Sequence, residues 1–336
     1  MTRSSRSDTQ LLVVGAGPTG LSVGIAAAKA AISCILLDRA TVVSAIEKYP
    51  LGMTFFSTPE KIEIGDIPLV TTSEKPTRRD GLIYYRRVAE HYHLDVRVRE
   101  TVTGITREAD GTFCVSVRRP HDETSYRADA VVIATGYYDQ PNALGVPGED
   151  LPHVSHYFIE GHRHWRQKVV IVGGGNSAVD AALESWRAGA EVTMILRGDG
   201  LHSTVKAWVL PDITNRLNEG SIKSRYRSRV RAITSTHVSI ANDRGVTEEI
   251  PADRVLLMTG YRPDMGLLRS LGVPIDAESG VPAHDETTMA TPVPGVYIAG
   301  VIAGGYDDNR LFIENTRHHG DLIVGDLLRR ALAPRD

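Results

Sequence analysis

The chain has 336 residues, more than one hydrophobic core usually holds, so we expect two domains. Its net charge is -3 at pH 7, and no run approaches the roughly 20 apolar residues of a membrane helix, so we predict neither nucleic acid nor a membrane as a partner. The only cysteines, Cys34 and Cys114, each lie within an apolar run, which is typical of buried thiols in a reducing cytoplasm.

The opening MTRSSRSDTQ is polar and is predicted to be a frayed tail. Only four apolar residues follow it before Gly15, which is too short a run for a secretory leader. We therefore expect a cytoplasmic protein.

The first predicted unit is a strand, a glycine-rich turn, a helix and a second strand. Residues 11–14 are predicted as strand, 15–20 as turn, 21–31 as an alanine-rich helix, and 32–37 as a strand that ends at Asp38. This order is that of a βαβ unit, in which a helix connects two parallel strands.

The same order returns in the second half of the chain. Residues 169–172 are predicted as strand, 173–178 as turn, 179–188 as helix, and 191–196 as a strand that ends at Arg197. Each copy is followed by an apolar run that closes on Thr-Gly: ADAVVIATG ends at Thr135 and Gly136, and ADRVLLMTG ends at Gly260. The sequence therefore contains one module twice.

Two segments rich in turn residues delimit the second module. The first, YYDQPNALGVPGEDLP, separates the two copies, and the second, YRPDMGLLRSLGVP, precedes a fresh strand in TPVPGVYIAGVIAGG. We predict an α/β protein with two Rossmann-like dinucleotide-binding domains, the NADP domain inserted into the FAD domain. The predicted limits are 1–144 and 261–336 for the FAD domain and 145–260 for the NADP domain.

The first turn has the G-x-G-x-x-G spacing that binds a pyrophosphate. Gly15 permits the tight turn, Gly17 lets the backbone approach the ligand, and Gly20 lets helix and strand pack closely. The N–H groups that open the following helix then face the anion. Pro18 and Thr19 complete the turn. Asp38, which Arg39 follows, lies 21 residues after Gly17, where an acid would bind a ribose 2′-hydroxyl.

The second turn has the G-x-G-x-x-A variant, with Arg197 where the first copy has its acid. The turn residues are Gly173, Gly175, Asn176, Ser177 and Ala178. An arginine at that place attracts a 2′-phosphate, so we predict NADP rather than NAD. His202, Ser203 and Lys206 follow and can add to the pocket, although Lys206 is equally well explained as a solvated loop lysine.

An acid-ended site suits FAD and an arginine-ended site suits NADPH. Two such sites in one chain indicate an oxidoreductase in which hydride passes from nicotinamide to flavin. No G-x-S-x-G or H-E-x-x-H motif supports a hydrolase.

The chain resembles the low-molecular-weight thioredoxin reductase-like flavoproteins, which have this domain order. Longer stretches resemble the bacillithiol-disulfide reductase branch of that family: YPLGMTFFSTPEKIEIGDIPL, KPTRRDGLIYYRRV, LPHVSHYFIEGH, GGGNSAVDAALE, TVKAWVLP, GVYIAGVIAGG and FIENTRHHG. The resemblance implies a symmetric dimer and a low-molecular-weight disulfide as the electron acceptor. It covers nearly the whole chain.

The resemblance also implies further residues near FAD. They are Lys48, Thr54 and Ile313, the backbone at Gly300 and Val301, and the start of a helix after Asn315. Two departures stand out: the second module has no C-x-x-C pair, which excludes a dithiol thioredoxin reductase, and Thr19 replaces the cysteine of the bacillithiol branch. A threonine cannot form a mixed disulfide, so we expect Thr19 to bond the flavin or the pyrophosphate instead.

The roles of several side chains have two interpretations. His153, His156, His162 and His164 have zinc-like spacing, but we predict interdomain packing and no metal. His318 and His319 are either proton donors to reduced flavin or its leaving thiolate, or residues that contact solvent or a partner subunit. Phe55 and Phe56 either wall the flavin ring or belong to the core. No catalytic side chain is assigned.

Our leading hypothesis is an NADPH-dependent FAD oxidoreductase that passes electrons to a low-molecular-weight disulfide. A ferredoxin-like protein is an alternative acceptor. A flavin monooxygenase is a second alternative, but its F-x-G-x-x-x-H signature is missing between the two glycine turns. A non-enzymatic sensor of redox state or nucleotide is the alternative from another class, because a fold does not by itself determine a function.

Overall fold

The structure, a computed structural model, describes residues 8–307 and 310–332. Most of the polar opening therefore lies outside the described residues. The chain divides into two compact units. Unit 1 contains the described residues up to Glu47, Thr54–Gln140, and those from Tyr261 onward; unit 2 contains Lys48–Met53 and Pro141–Gly260.

The strands are β1 (Thr9–Val14), β2 (Cys34–Asp38), β3 (Asp95–Val98), β4 (Thr101–Arg107), β5 (Phe113–Arg118), β6 (Glu123–Ile133), β7 (Val154–Ser155), β8 (Lys168–Val172), β9 (Glu191–Ile195), β10 (Lys223–Arg225), β11 (Ser228–Ile233), β12 (His237–Asn242), β13 (Thr247–Pro251), β14 (Arg254–Leu257) and β15 (Val296–Ile298). The α-helices are α1 (Pro18–Lys29), α2 (Ser44–Glu47), α3 (Pro59–Ile62), α4 (Arg78–His91), α5 (Asn176–Arg187), α6 (Leu210–Asn218), α7 (Gly266–Ser270), α8 (Ile313–Thr316) and α9 (His319–Leu332). Gly161–His164 and Gly300–Gly304 are 3-10 turns.

Unit 1 is built on a seven-stranded mixed sheet. Its order is β3-β2-β1-β6-β5-β4, with β15 also paired to β6. The long strand β6 serves both sides, because its first half pairs antiparallel with β5 and its last residues pair parallel with β15. β1 is central and fully buried from Leu11 to Val13, as expected for a parallel strand that is covered on both faces.

Unit 2 has three layers. The parallel sheet β10-β9-β8-β14-β7 lies in the middle. Val169 and Ile171 on one face of β8 pack with Val179 of α5, while Val170 on the other face packs with Val238 of the antiparallel sheet β11-β12-β13. The side chains of a strand alternate between faces, so β8 can serve both cores.

The two predicted glycine turns each connect a buried strand to a helix, but the helices begin earlier than the sequence indicates. α1 begins at Pro18 rather than residue 21, and α5 begins at Asn176 rather than residue 179. In both, the second glycine of the turn is the N-cap, so the last part of the glycine motif is already helical.

The grouping of residues 48–53 with unit 2 is not foreseen by the sequence. The Leu51 N–H donates to the Ile159 carbonyl at 2.8 Å, and the Lys48 ammonium lies 6.0 Å from the centre of the Tyr157 ring. These contacts join segments that are far apart in the chain. The larger segment of unit 2 begins at Pro141, whereas the sequence predicts a boundary after residue 144.

In the described part of the chain, no helix combines the length and apolar character that a bilayer crossing requires.

Candidate functional site

The first glycine turn is crowded everywhere except at its second glycine. Gly15 has a φ of 112°, and a Cβ there would collide with the Ala134 carbonyl; a Cβ on Gly20 would collide with the carbonyl of Gly15. At Gly17, in contrast, a Cβ would meet no atom within 4 Å. The backbone at Gly17 therefore faces open space, as a bound pyrophosphate requires.

The helix that follows leaves its first N–H groups available. Gly17 is the N-cap of α1, no side chain caps the helix, and its first turn contains no acidic residue. Pro18 starts the helix, where its missing N–H costs nothing. This end of the helix carries a partial positive charge, so the turn fits an anionic dinucleotide.

Asp38 is buried at the end of β2 and holds the glycine turn in place. Its carboxylate accepts hydrogen bonds from the N–H groups of Ala16 at 3.0 Å and Ala40 at 2.9 Å, and from the Ser44 hydroxyl at 3.3 Å. Burial raises the pKa of this carboxyl above its ordinary value, against the lowering effect of these donors. A carboxylate has about four acceptor positions, so one remains for a ribose hydroxyl.

Arg39 follows Asp38 and pairs with Asp139 at 2.6 Å, so its charge is partly compensated within unit 1.

Thr135 and Gly136 lie beside the first glycine turn in space, because a Cβ on Gly15 would lie 3.3 Å from the Thr135 Cα. A Cβ on Gly136 would lie 3.9 Å from a Val301 methyl. Predicted FAD-binding residues from the early and the late part of unit 1 therefore lie close together in the structure.

Thr19 is buried and forms a hydrogen bond with Thr316. The two hydroxyl oxygens lie 2.8 Å apart, and the Thr316 hydroxyl donates to the Phe312 carbonyl at 2.9 Å. Because Thr316 has a single proton, Thr19 must be the donor of the pair. The hydroxyl proton of Thr19 is therefore used within the protein, and its oxygen still has acceptor capacity, so the bond to the flavin or pyrophosphate stays a prediction.

Gly300 lies against Thr19 and is held by His319. A Cβ on Gly300, which has a φ of 83°, would lie 3.3 Å from the Thr19 side chain. The Gly300 N–H donates to Nδ1 of His319 at 3.2 Å. Since Nδ1 accepts, the imidazole proton is on Nε2 and the ring is neutral.

His319 is buried, whereas His318 is exposed. Burial, followed by the nearby His284 and His318, lowers the pKa of His319 to about 4. Contact with solvent, one of the two readings from the sequence, therefore applies to His318 and is wrong for His319. At neutral pH the neutral ring of His319 acts as a hydrogen-bond acceptor for the backbone.

The remaining residues that the family resemblance implies near FAD are spread over several elements. Thr54 forms an isolated β-bridge with Thr77, and Ile313 begins α8. The helix after Asn315 is α9, and Asn315 itself lies inside α8 with its side-chain oxygen accepting the Phe312 N–H at 2.7 Å. Lys48 belongs to unit 2.

Phe55 and Phe56 differ sharply in environment. Phe55 is buried, and its ring packs against Gly81 of α4, where a Cβ would come within 2.8 Å of it. Phe56 is 38% exposed. Phe55 is therefore core, whereas Phe56 is partly exposed.

The second glycine turn has the same pattern as the first. A Cβ on Gly173, whose φ is 134°, would collide with the Met258 carbonyl, while one on Gly175 would meet no atom within 4 Å. Gly175 is the N-cap of α5, again with no capping side chain and no acidic residue in the first turn. Ala178 is fully buried and Ser177 is exposed. This turn also fits a dinucleotide.

The side chain of Asn176 forms hydrogen bonds that hold the loop after β9 beside the second turn. This side chain donates to the Thr204 carbonyl at 3.1 Å and accepts the Lys206 N–H at 2.9 Å. The His202 N–H donates to the Gly174 carbonyl at 2.8 Å. The loop therefore lies beside the turn, and Lys206 is half-buried rather than fully solvated.

Arg197 stands out among the arginines of this region. Arg225 forms a bidentate pair with Glu248, with both distances 2.7 Å, and Arg227 pairs with Asp199 and Asp243. Arg197 is exposed, and no carboxylate of the described residues forms an ion pair with it. A cation in this state can bind a phosphate without first giving up a partner.

One acidic residue that follows the second glycine motif was not predicted from the sequence to be perturbed. Asp180 lies one turn after Asn176 on α5, and burial, followed by the like charge of Glu184, raises the pKa of Asp180 to about 6. The sequence signal for this raised pKa is the four-residue spacing of Asp180 and Glu184, because like charges at this spacing on a helix repel.

The histidine-rich segment packs within unit 2. His156 lies 3.3 Å from Glu149, and His164 is buried with its ring stacked on Phe158, the ring centres 6.0 Å apart. Burial lowers the pKa of His164. Among the described residues, no three His, Cys, Asp or Glu side chains are grouped as metal ligands.

Comparison with known proteins gives close matches over nearly the whole chain. A family described as pyridine nucleotide-disulphide oxidoreductase matches residues 12–300. Bacilliredoxin reductase Bdr of Bacillus subtilis (strain 168) is 42% identical over 319 residues, covering 95% of this chain and 97% of that protein. The solved structure of bacillithiol disulfide reductase Bdr (YpdA) from Bacillus cereus has a TM-score of 0.93 and 39% identity, covering 96% of this chain and 99% of that one. Its Staphylococcus aureus counterpart has a TM-score of 0.90 and 39% identity, covering 96% and 98%.

These matches confirm the resemblance to the bacillithiol-disulfide reductase branch and the α/β fold with two Rossmann-type sheets. They also confirm FAD and NADP(H) as the cofactors of a flavoprotein oxidoreductase. The individual cofactor-binding residues and the domain limits stay predictions. The chain belongs to the pyridine nucleotide-disulphide oxidoreductase family.

Proposed function

We propose that the protein is an NADPH-dependent disulfide reductase whose substrate is a low-molecular-weight thiol disulfide of the bacillithiol type. The observation that carries the proposal is the pair of glycine turns, each with an uncapped helix end and an unobstructed second glycine. Two such turns in one chain suit two dinucleotides. The relatives at 42% and 39% identity, named for bacilliredoxin and bacillithiol disulfide, support this substrate class.

We propose two sets of binding residues. For FAD they are Gly15, Gly17, Pro18, Thr19, Gly20, Asp38, Arg39, Lys48, Thr54, Thr135, Gly136, Gly300, Val301 and Ile313. For NADPH they are Gly173, Gly175, Asn176, Ser177, Ala178, Arg197 and Lys206. Unit 1 would then be the FAD domain and unit 2 the NADP domain.

The protein residues bind and orient in this proposal. The N–H groups at the start of α1 and α5 would hold the two pyrophosphates, and Arg197 would bind the 2′-phosphate. Gly300, whose N–H donates to His319, would bring its backbone near FAD, as the family resemblance implies. FAD, when bound, supplies the two-electron carrier between NADPH and substrate. The balanced reaction converts NADPH, one proton and a disulfide into NADP⁺ and two thiols.

The chain offers no thiol at residue 19, so the substrate disulfide would be reduced without a mixed disulfide there. Cys34 is a poor substitute, because burial raises the pKa of its thiol to about 12 and the thiolate is the reactive form. Thr19 instead positions the backbone: its hydroxyl bonds Thr316 and its side chain lies under Gly300.

The test has two stages. Anaerobic NADPH should bleach the flavin absorbance of the purified protein faster than NADH does, which examines the reductive half-reaction. Bacillithiol disulfide should then accelerate NADPH consumption well above the rate with oxygen alone. A flavin that stays oxidised with both nucleotides would favour the sensor alternative. A flavin that NADPH reduces but the disulfide does not reoxidise would support the reductive half-reaction and contradict the disulfide as acceptor. That result would favour the alternative acceptor, a ferredoxin-like protein.

We further propose a homodimer in the cytoplasm, since the resemblance implies a dimer and closed homo-oligomers are the usual assembly of such enzymes. Light scattering of the purified holoenzyme measures the assembly, and a monomer mass at micromolar concentration would contradict the dimer.

A further inference from the structure

Arg227 has an unusual backbone conformation. It lies between β10 and β11 with a φ of 49°, in the left-handed region. Glycine or asparagine usually occupies such positions, because other side chains crowd the backbone there. Arg99 and Arg166 also lie in the left-handed region, so a role for Arg227 must come from its contacts.

Backbone hydrogen bonds fix Arg227 beside the loop that follows Arg197. The Arg227 N–H donates to the Gly198 carbonyl at 2.9 Å, and the Asp243 N–H donates to the Arg227 carbonyl at 3.0 Å. The guanidinium then reaches Asp199 through Nε, while Nη1 lies 3.6 Å from Asp243. Arg227 is thus held between two carboxylates, and the nearer one belongs to the loop.

Asp199 stands two residues after Arg197, at the start of the loop that returns to the second glycine turn. Its side chain is 74% exposed and that of Arg227 is 57% exposed, so both face solvent. The bond from Arg227 lowers the pKa of Asp199, which is therefore ionised at neutral pH. A carboxylate at this position repels a 2′-phosphate unless another charge compensates it.

We propose that Arg227 is a specificity-determining residue for 2′-phosphorylated nucleotides, acting through Asp199. By pairing with Asp199, it stops that carboxylate from repelling the phosphate that Arg197 binds. The inference rests on the proposed NADPH binding by unit 2. Arg197 is the direct phosphate ligand, and Arg227 is a positioning residue that sets the charge around it.

The test compares two ligands that differ by one phosphate, 2′,5′-ADP and 5′-AMP, whose dissociation constants are measured by calorimetry at fixed ionic strength. The variant Arg227→Asn removes the guanidinium and keeps a residue that tolerates a left-handed backbone, so the melting temperature should be unchanged. We expect 2′,5′-ADP binding to weaken several-fold, up to about tenfold, and 5′-AMP binding to change less than about twofold.

A double variant and a control isolate the mechanism. Asp199→Asn combined with Arg227→Asn should restore the affinity for 2′,5′-ADP, because the repelling carboxylate is gone. Arg187→Gln removes the same charge from the far end of α5, where Arg187 pairs with Asp212 at 2.6 Å, and should leave both affinities unchanged.

Three results would overturn the inference. An unchanged preference in Arg227→Asn would remove the role of Arg227. No recovery in the double variant would mean that Arg227 binds the phosphate itself rather than acting through Asp199. A wild-type protein with no preference for 2′,5′-ADP would overturn the proposed NADPH specificity together with this inference, whereas the first two results leave that specificity standing.

Discussion

Arginines and histidines that are alike in sequence differ in their surroundings. Arg197, Arg225 and Arg227 lie close in the fold of unit 2, yet Arg225 and Arg227 are held by carboxylates while Arg197 is not paired within the described residues. His318 and His319 are neighbours, yet one is exposed and one is buried. The partner and the burial of a side chain therefore decide its role, and neither follows from residue type.

Replacing Arg197 should reduce the preference for NADPH. We expect Arg197→Gln to lower the ratio of kcat/KM for NADPH to that for NADH by about 10- to 100-fold, because a hydrogen bond to a charged group contributes about 1.5–3 kcal/mol. The measurement is steady-state kinetics with both nucleotides. The control is Arg225→Gln, since Arg225 already binds Glu248. An Arg197 variant with the wild-type ratio would move the phosphate site elsewhere.

His319 should make stability depend on pH. The unfolded chain binds a proton at His319 near pH 6.5, whereas the folded chain binds it only near pH 4, so stability falls as the pH falls through this window. At pH 5 the loss is about 2 kcal/mol by linkage. Urea unfolding at pH 7 and pH 5 measures it.

Two variants examine this pH dependence. His319→Gln keeps an acceptor for the Gly300 N–H but cannot titrate, so the difference in stability between pH 7 and pH 5 should shrink. His318→Gln, at the exposed neighbour, should keep most of the pH dependence, because burial is the main cause of the lowered pKa of His319. Equal pH dependence in all three proteins would argue against a buried neutral His319.

At the scale of elements, each glycine turn separates two requirements. Gly15 and Gly20 are needed for packing, because a Cβ at either would strike backbone, whereas Gly17 only faces open space. The helix that begins there gains from an anion at its uncapped end. We therefore expect stability and ligand binding to depend on different glycines of one motif.

This separation predicts opposite defects for two alanine variants. Gly17→Ala, at a φ of -72° and with free space around the Cβ, should fold with a normal melting temperature but retain little FAD, because the methyl group occupies the place of the pyrophosphate. Gly20→Ala should fold poorly. Flavin absorbance relative to protein absorbance, together with melting temperature, distinguishes the two. A fully yellow Gly17→Ala protein would contradict the assignment.

At the scale of the whole molecule, the two βαβ units were predictable because their signals are local: a short apolar run, glycines at fixed spacing and a helical period. The bond between Thr19 and Thr316, the pair of Arg227 with Asp199, and the attachment of Leu51 to Ile159 were not predictable. Each joins residues that are distant in sequence, and no spacing rule relates them. The two glycine turns were therefore predictable from the sequence, but the hydrogen bonds around them were not.

The whole chain should work without a protein thiol. We expect the double variant Cys34→Ser, Cys114→Ser to keep NADPH oxidation with bacillithiol disulfide within about twofold of wild type, since neither thiol is paired with a second cysteine and a relay needs a reactive thiolate. Iodoacetamide treatment of the wild type should likewise leave the rate unchanged. Loss of activity in the double variant with unchanged melting temperature would point to a thiol intermediate after all.

The hydrogen bond between Thr19 and Thr316, with the pairing of β15 to β6, also has a consequence for the order of biosynthesis. The ribosome completes every strand of unit 2 before it makes β15, α8 or α9. Until those last segments emerge, β6 lacks its neighbour β15, and Gly300 does not yet lie beside Thr19. Helix α1 also lacks α9, which packs on it through Gly320. The inserted unit can therefore fold while the nascent chain is still attached, whereas the interrupted one completes its sheet and its glycine turn only near the end of translation.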